Sequence, residues 1–304
     1  MTPMTTATIP LDFRNFGQVW SCLGLLELAD MLWGAATGHF QWAPHGDTGT
    51  FTLQTPAGPP DLMGALLSWL SQAYIEEAVL PDLKTPTPLA QTSTDTPTPL
   101  SIQQIVVHSV PVPLTQDPKI RPIRLVHQHQ TVWISHWGDT ASGRDSWKTF
   151  SGQKSATQTI ADLLTRIRSA WDTMPDRLRH NPFAVTEALP AAFNWDVRKG
   201  WTSLDYGYSP NDHNQFIVGS PLVELLTAIA LEFARPGSDP HHPHGEYAIW
   251  SDSLPPLLAR PAIAGIDVGV PRRLFRFWRR KSGKTTILSY AEEVFKHDRN
   301  NYGF

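Results

Sequence analysis

Cysteine and long apolar runs are scarce in this chain of 304 residues. Cys22 is its only cysteine, so no disulfide within the chain and no thiolate metal cluster is possible. We expect Cys22 to be a small buried hydrophobic residue. The longest apolar stretch, Val19–Trp33, contains Glu27 and Asp30 and is shorter than the roughly 20 residues of a membrane-spanning helix. Because the N-terminus also lacks the basic region of a signal peptide, the expected location is cytoplasmic.

Basic residues are almost absent from the first part of the chain. Before position 117 the only cations are Arg14 and Lys84. This part cannot hold a polyanion by charge, and we expect it to dock protein partners through its acidic surface. The acidic residues there are Asp12, Glu27, Asp30, Asp47, Asp61, Glu76, Glu77, Asp82 and Asp95, of which Glu76, Glu77 and Asp82 are the candidate docking residues.

Cations are instead concentrated near the C-terminus, beneath a formal net charge of only −3. The segment RRLFRFWRRKSGK, residues 272–284, interleaves seven cations with large apolar residues. Clustered arginine with aromatic residues neutralises phosphates and stacks on bases, which favours a nucleic-acid contact. An arginine-lined edge strand that prevents sheet aggregation would look similar. The candidate residues are Arg272, Arg273, Arg276, Arg279, Arg280, Lys281 and Lys284.

Two further lysines join this candidate interface. Lys148 and Lys154 lie in WKTFSGQKSA, at the predicted start of a helix. Backbone amides and the helix dipole favour phosphate there, and lysine adds charge. Ordinary helix capping with solvent-facing lysines is the equally simple alternative.

Composition and periodicity indicate a folded α+β protein. Apolar residues make up 41% and charged residues 17%, and the length suits two domains. The first part is predicted to be a two-layer α/β unit, because the order βαββα, linker, β is compatible with a ferredoxin-like split βαβ unit. The predicted elements are a strand over 8–13, a helix capped by Asn15, strands over 39–43 and 50–54, a helix opened by Asp61, a Thr/Pro-rich linker over 84–101 and a strand over 103–112.

The second part is predicted to contain helices and to end in a basic β-hairpin. Its elements are strands within 120–147, helices over 152–171 and from Ser220 to Ala234, and a hairpin with strands over 272–280 and 285–290. We place the domains at 1–112, acidic, and 113–304, mixed α/β with a basic end.

No motif predicts catalysis, and neither a cofactor nor a metal is expected. SGKTT over 282–286 lacks the first glycine of a phosphate loop and is predicted to be a hairpin turn. The His-rich DPHHPHGEY over 239–247 is more typical of a surface loop than of a metal site. Asp205, Asp212, His213 and Glu224 can be drawn as an acid–base set, but their spacing does not require it.

The ordered motifs nevertheless resemble a known family. IPLDFRNFGQVWSCLGLLELADMLWG near the start, WKTFSGQKSA in the middle, then GWTSLDYGYSPND, SPLVELLTAIALEFARP, YAIWSDSLPPLLARPAIAG and RRLFRFWRRKSGK resemble the large subunit of the type I CRISPR surveillance complex (Cascade), in the short form of subtype I-G, formerly I-U. The resemblance covers most of the chain in the same order.

The resemblance implies a non-catalytic subunit of a ribonucleoprotein complex in antiviral defence. Such a subunit would sit on backbone subunits wound along guide RNA, help recognise the protospacer-adjacent motif in double-stranded target DNA, aid R-loop formation and recruit the helicase–nuclease. It assigns no individual base-contacting residue. Two alternatives stay open: an RNA-processing endonuclease of a CRISPR system, using His127, His129 or His136, and a pure protein-scaffold module.

Overall fold

The computed structural model of the chain describes residues 4–79, 102–107, 117–138, 147, 149, 155–199, 218–238, 244–282 and 285–295. These residues form a mixed α+β fold, as predicted. The helices are α1 (Phe16–Trp33), α2 (Leu62–Gln72), α3 (Ala156–Thr173), α4 (Pro175–His180), α5 (Pro221–Phe233) and α6 (Pro256–Ile263). The strands are β1 (Thr5–Asp12), β2 (Thr37–Trp42), β3 (Thr48–Thr55), β4 (Tyr74–Val79), β5 (Ile102–Val106), β6 (Ile123–His127), β7 (Gln130–Ile134), β8 (Glu187–Ala188), β9 (Val218–Gly219), β10 (Gly237–Ser238), β11 (His244–Trp250), β12 (Arg272–Ser282), β13 (Thr285–Leu288) and β14 (Glu292–Glu293).

The first sheet has the strand order β1-β3-β2 and is antiparallel throughout. This order, with α1 between β1 and β2, is that of the first three strands of a ferredoxin-like unit. The next strand, β4, does not join it, because β4 lies in a separate sheet of order β5-β4-β6-β7. The N-terminal α/β elements are therefore present as predicted, whereas β4 does not complete a ferredoxin-like sheet.

Helix α1 lies at the centre of the molecule. The Asn15 side chain accepts the N–H of Gln18, as the predicted cap requires. The sequence predicts one apolar face, but every residue of α1 from Phe16 to Ala29 is buried. The contact with α5 explains this, since small residues let the two backbones approach closely. A methyl group at Gly24 would overlap the carbonyl oxygen of Leu226 in α5.

The second sheet joins both predicted parts of the chain. Strands β4 and β5 precede position 112, and β6 and β7 follow it. One continuous hydrophobic core also includes residues from α1, α3 and α5. The division at position 112 stays a prediction, and the Thr/Pro-rich segment 84–101 lies outside the described residues.

The third sheet, β10-β11-β12-β13, contains the predicted basic hairpin. Strand β12 pairs with β11 along its first half and with β13 along its second, and β14 pairs with β12 as well. Strands β12 and β13 are antiparallel with ends at Ser282 and Thr285, as expected for a hairpin turn at SGKTT. The helices predicted over 152–171 and from Ser220 to Ala234 are present as α3, Ala156–Thr173, and α5, Pro221–Phe233. The side chains of Ser155 and Ser220 each accept an N–H of the first turn.

Among the described residues, no helix is both long enough and apolar enough to cross a membrane.

Candidate nucleic-acid interface

Alternation along β12 divides the cation-rich strand between two faces. Phe275 and Phe277 are fully buried and point into the core. Because neighbouring side chains of a strand point to opposite faces, Arg276 and Arg280 lie on the other side of the sheet. Arg280 is exposed, whereas Arg276 is half-buried. The predicted cations therefore do not form one continuous basic surface.

Three of the predicted arginines are held by acidic partners within the chain. Arg273 binds the Glu293 carboxylate through Nε at 2.8 Å and Nη2 at 2.6 Å. Arg276 binds Glu246 Oε1 through Nε at 3.0 Å and Nη2 at 2.7 Å. Arg272 lies 3.3 Å from Asp267.

These ion pairs neutralise the first half of β12. The edge-strand alternative is wrong here, because β12 lies inside the sheet between β11 and β14. Arg272, Arg273 and Arg276 instead form ion pairs within the chain, which leaves them less available for phosphate.

The second half of β12 is arranged differently. The Arg279 guanidinium carbon lies 5.9 Å from the centre of the Trp147 ring, within cation–π range. Trp147 in turn stacks on Phe16 with centroids 5.5 Å apart and an interplanar angle of 7°. Trp147 is buried. Arg279 therefore packs over an aromatic ring that belongs to the hydrophobic core.

The segment around Trp147 reaches the hairpin at a second point. The backbone N–H of Thr286 in β13 donates to the carbonyl oxygen of Thr149 at 3.1 Å. Trp147 and Thr149 flank Lys148, one of the lysines predicted from the sequence. The fold thus brings Trp147 and Thr149 against the end of the hairpin, although more than a hundred residues separate them from it in sequence. We call Arg279, Arg280, Trp147 and Thr149 the hairpin-end site.

Some predicted interface residues cannot be placed. Lys148, Lys154 and Lys284 lie outside the described residues, and the Lys281 backbone belongs to β12 without a described side chain. Of the predicted cations that are described, Arg280 is the exposed one.

The chain was compared with models of protein families, with curated proteins and with solved structures, and none of the three comparisons finds a match.

The candidate acid Glu224 has a structural role. It is fully buried in the first turn of α5, where Oε2 accepts the N–H of Phe193 at 2.8 Å and Oε1 accepts the N–H of Asp196 at 2.9 Å. Asp196 in turn accepts from the Asn15 side chain at 3.0 Å and from the N–H of Ser220 at 2.8 Å. The Asp196 carboxylate therefore links Asn15 and Ser220, the residues that cap α1 and α5. Asp205, Asp212 and His213 lie outside the described residues.

The predicted docking role of Glu76 and Glu77 is wrong, because both side chains are buried. Glu76 is bound by Arg124. Glu77 is bound by Arg121 at 3.0 Å and accepts the hydroxyl of Thr157 at 2.6 Å. The sequence alone does not reveal these ion pairs, because the basic partners, Arg121 and Arg124, come from a different part of the chain, in or beside β6. Asp82 lies outside the described residues.

Two histidines of the endonuclease alternative, His127 and His136, lie in different environments. His136 is fully buried between Trp137 and Trp195, with ring centroids 4.7 and 5.4 Å away. His127 lies at the end of β6 against the edge of Trp69, and partial burial lowers its pKa. A buried His136 cannot reach an RNA backbone.

The remaining candidates have ordinary environments. Cys22 is fully buried, as predicted, and burial raises the pKa of its thiol. Glu246 from the His-rich segment binds Arg276, and His241 and His242 lie outside the described residues. Among the described residues, no three His, Cys, Asp or Glu side chains are placed to hold one metal ion.

A polar cluster that sequence reasoning missed lies beside the third sheet. Arg14 lies over the Tyr290 ring at 5.8 Å and forms an ion pair with Asp47 at 3.2 Å. Burial raises the pKa of Tyr290, and the Asp12 and Asp196 carboxylates raise it further. Burial also raises the pKa of Asp12. Spacing gives no signal for this cluster, because its members come from opposite ends of the chain.

Proposed function

We propose that this chain is a non-catalytic large subunit of a type I CRISPR effector complex, and that its hairpin-end site contacts target DNA or guide RNA. The observation that carries the proposal is that Trp147 and Thr149 contact the hairpin at Arg279 and Thr286, beside the exposed Arg280. Residues on either side of Lys148 in the sequence thus lie against the cation-rich hairpin. The ordered motifs that resemble the Cascade large subunit give the complex in which this contact would serve.

Electrostatics favours a nucleic-acid contact at the end of the hairpin, near Arg280, rather than in the first half of β12. An arginine bound to a carboxylate of its own chain must give up that partner to bind phosphate, whereas an exposed arginine need not. Arg280 meets this condition and Arg273 and Arg276 do not. In such a complex the chain would help recognise the protospacer-adjacent motif, aid R-loop formation and recruit the helicase–nuclease.

A protein-scaffold module is the second candidate, and the ion pairs of β12 favour it. Arg272, Arg273 and Arg276 stabilise the sheet through intramolecular acids, as expected of a strand whose role is structural. In that case the hairpin end would meet an acidic protein surface.

Reconstitution separates the two candidates. The backbone subunits and guide RNA are assembled with the wild-type chain, with an Arg279→Ala, Arg280→Ala variant, or without the chain, and binding of target duplex is measured. We expect binding to fall without the chain and to weaken in the variant, while the variant still co-purifies with the complex. A variant that fails to assemble, but whose far-UV circular dichroism is unchanged, would favour the scaffold instead.

A further inference from the structure

Among the described residues, strand β5 forms one edge of the second sheet, and its own sequence contains none of the residues that usually protect an edge. Among the described strands it pairs with β4 alone. Its sequence, IQQIV, contains no charge and no proline. Natural edge strands are commonly blocked by lysine, proline or a bulge, since their free backbone groups otherwise accept another strand.

The backbone of β5 shows which of its residues point away from the sheet. The N–H of Val107 donates to the carbonyl oxygen of Val79 in β4 at 3.2 Å. Backbone direction alternates along a strand, so Gln103 and Ile105 also point toward β4. The N–H and C=O groups of Ile102, Gln104 and Val106 then point outward.

The side chains of the outward-pointing residues form a symmetric pattern. Ile102 is 44% exposed and Val106 is 47% exposed. Gln104 lies between them, and its amide donates to Glu77 Oε2 at 3.2 Å, which fixes the side chain beside the strand. The order along this face is therefore apolar, amide, apolar, and it is the same in both directions.

We propose that β5 pairs in antiparallel fashion with β5 of a second copy of this chain, about a two-fold axis through Gln104. In this register Ile102 faces Val106 of the second copy and Gln104 faces its own equivalent. Each of these pairs exchanges two backbone hydrogen bonds, because all three residues present their backbone groups to the open edge. Apolar cross-strand pairs then cover the exposed side chains, and the two-fold arrangement uses β5 of both copies, so no free β5 remains for a third copy.

The interface is small, and the dimer dissociates on dilution. Five residues per copy form the strand, far fewer than the roughly 20 residues per side of a standard interface. The association is therefore measured on the full chain over a wide range of concentration, by sedimentation velocity.

Three variants test the register. Gln104→Pro removes the central outward N–H without removing a backbone hydrogen bond to β4, although it also removes the side-chain bond to Glu77. We expect this variant to be monomeric at every concentration. Ile102→Lys sets a charge against Val106 and has the same expected result. Combining I102K with V106E sets opposite charges face to face across the axis, and we expect the dimer to return.

Leu257→Lys is the matched control, since Leu257 is an apolar residue of α6 that is 75% exposed. We expect it to dimerise as the wild type does. Circular dichroism confirms that each variant is folded. A wild-type chain that is monomeric at all concentrations, or a dimer that survives Gln104→Pro and Ile102→Lys, overturns the proposal.

Discussion

Arg276 and Glu246 face each other across β11 and β12, and Nη2 of the guanidinium lies 2.7 Å from Oε1 of the carboxylate. The pair joins a cation from the basic hairpin to an acid from the His-rich segment. The pair therefore defines the surroundings of a candidate nucleic-acid contact, Arg276, and of a candidate metal ligand, Glu246. Each charge is compensated by the other, so a phosphate or a metal ion would have to compete with this ion pair.

Replacing Arg276 should therefore affect stability more than nucleic-acid binding. We expect Arg276→Ala to lower the free energy of unfolding by about 1.5–3 kcal/mol, the range for hydrogen bonds to charged groups. Chemical denaturation measures this change. Because Glu246 is its partner, Glu246→Gln should cause a smaller decrease and the double variant less than the sum of the two. Additive decreases would show that the pair contributes nothing.

Reversing the charge of Glu77 should unfold the chain rather than slow its assembly. Glu77→Lys places a cation in a buried site beside Arg121, and breaking a buried pair costs about 3–5 kcal/mol. Asp172→Lys, at an exposed position of α3, is the control and should leave the melting temperature unchanged. A Glu77→Lys variant as stable as the wild type would contradict the buried ion pair.

The contact between α1 and α5 should not tolerate a methyl group at Gly24. A methyl group there meets the carbonyl oxygen of Leu226, and overpacking of a core commonly costs about 1–3 kcal/mol. Gly46→Ala is the control, since the nearest atom to its added methyl group would be 3.3 Å away. Thermal unfolding of both variants tests the contact. Equal melting temperatures would mean that the two helix backbones do not approach each other closely at Gly24.

Asp12 should make the protein less stable as pH rises, whereas an ion-paired carboxylate makes a protein more stable as pH rises. Its pKa in the folded protein is raised by burial above the ordinary value of 3.8. The folded state thus holds this proton longer than the unfolded state, so the Asp12 contribution falls as pH rises through the two values. Asp12→Asn removes this decrease. We expect the variant to gain stability relative to the wild type between pH 3.5 and pH 7. Denaturation of both proteins at both pH values measures this gain. A difference in unfolding free energy between variant and wild type that is the same at both pH values would contradict the prediction.

The sequence predicts local structure well where the signal is local. Asn15 and Ser220 mark the starts of α1 and α5 because a capping side chain acts within its own first turn. The basic hairpin likewise follows from alternation and the turn at Ser282.

The candidate site is only partly predictable, since its electrostatics depend on strand pairing. Glu293 neutralises Arg273 because β14 returns beside β12, and no spacing in the sequence encodes that contact. The same holds for Arg279, whose aromatic neighbour Trp147 comes from a distant segment.

The salt dependence of nucleic-acid binding tests the central claim most directly. Binding of the purified chain to a short fluorescent DNA duplex is measured at several salt concentrations. For an R280A, K281A double variant, we expect the slope of log affinity against log salt to become shallower by up to about one unit for each phosphate that the variant no longer neutralises. Arg276→Ala and Arg177→Ala, an exposed position on α4, should keep the wild-type slope. A wild-type chain that does not bind, or a folded double variant with an unchanged slope, would contradict the assignment of the hairpin end as the nucleic-acid contact.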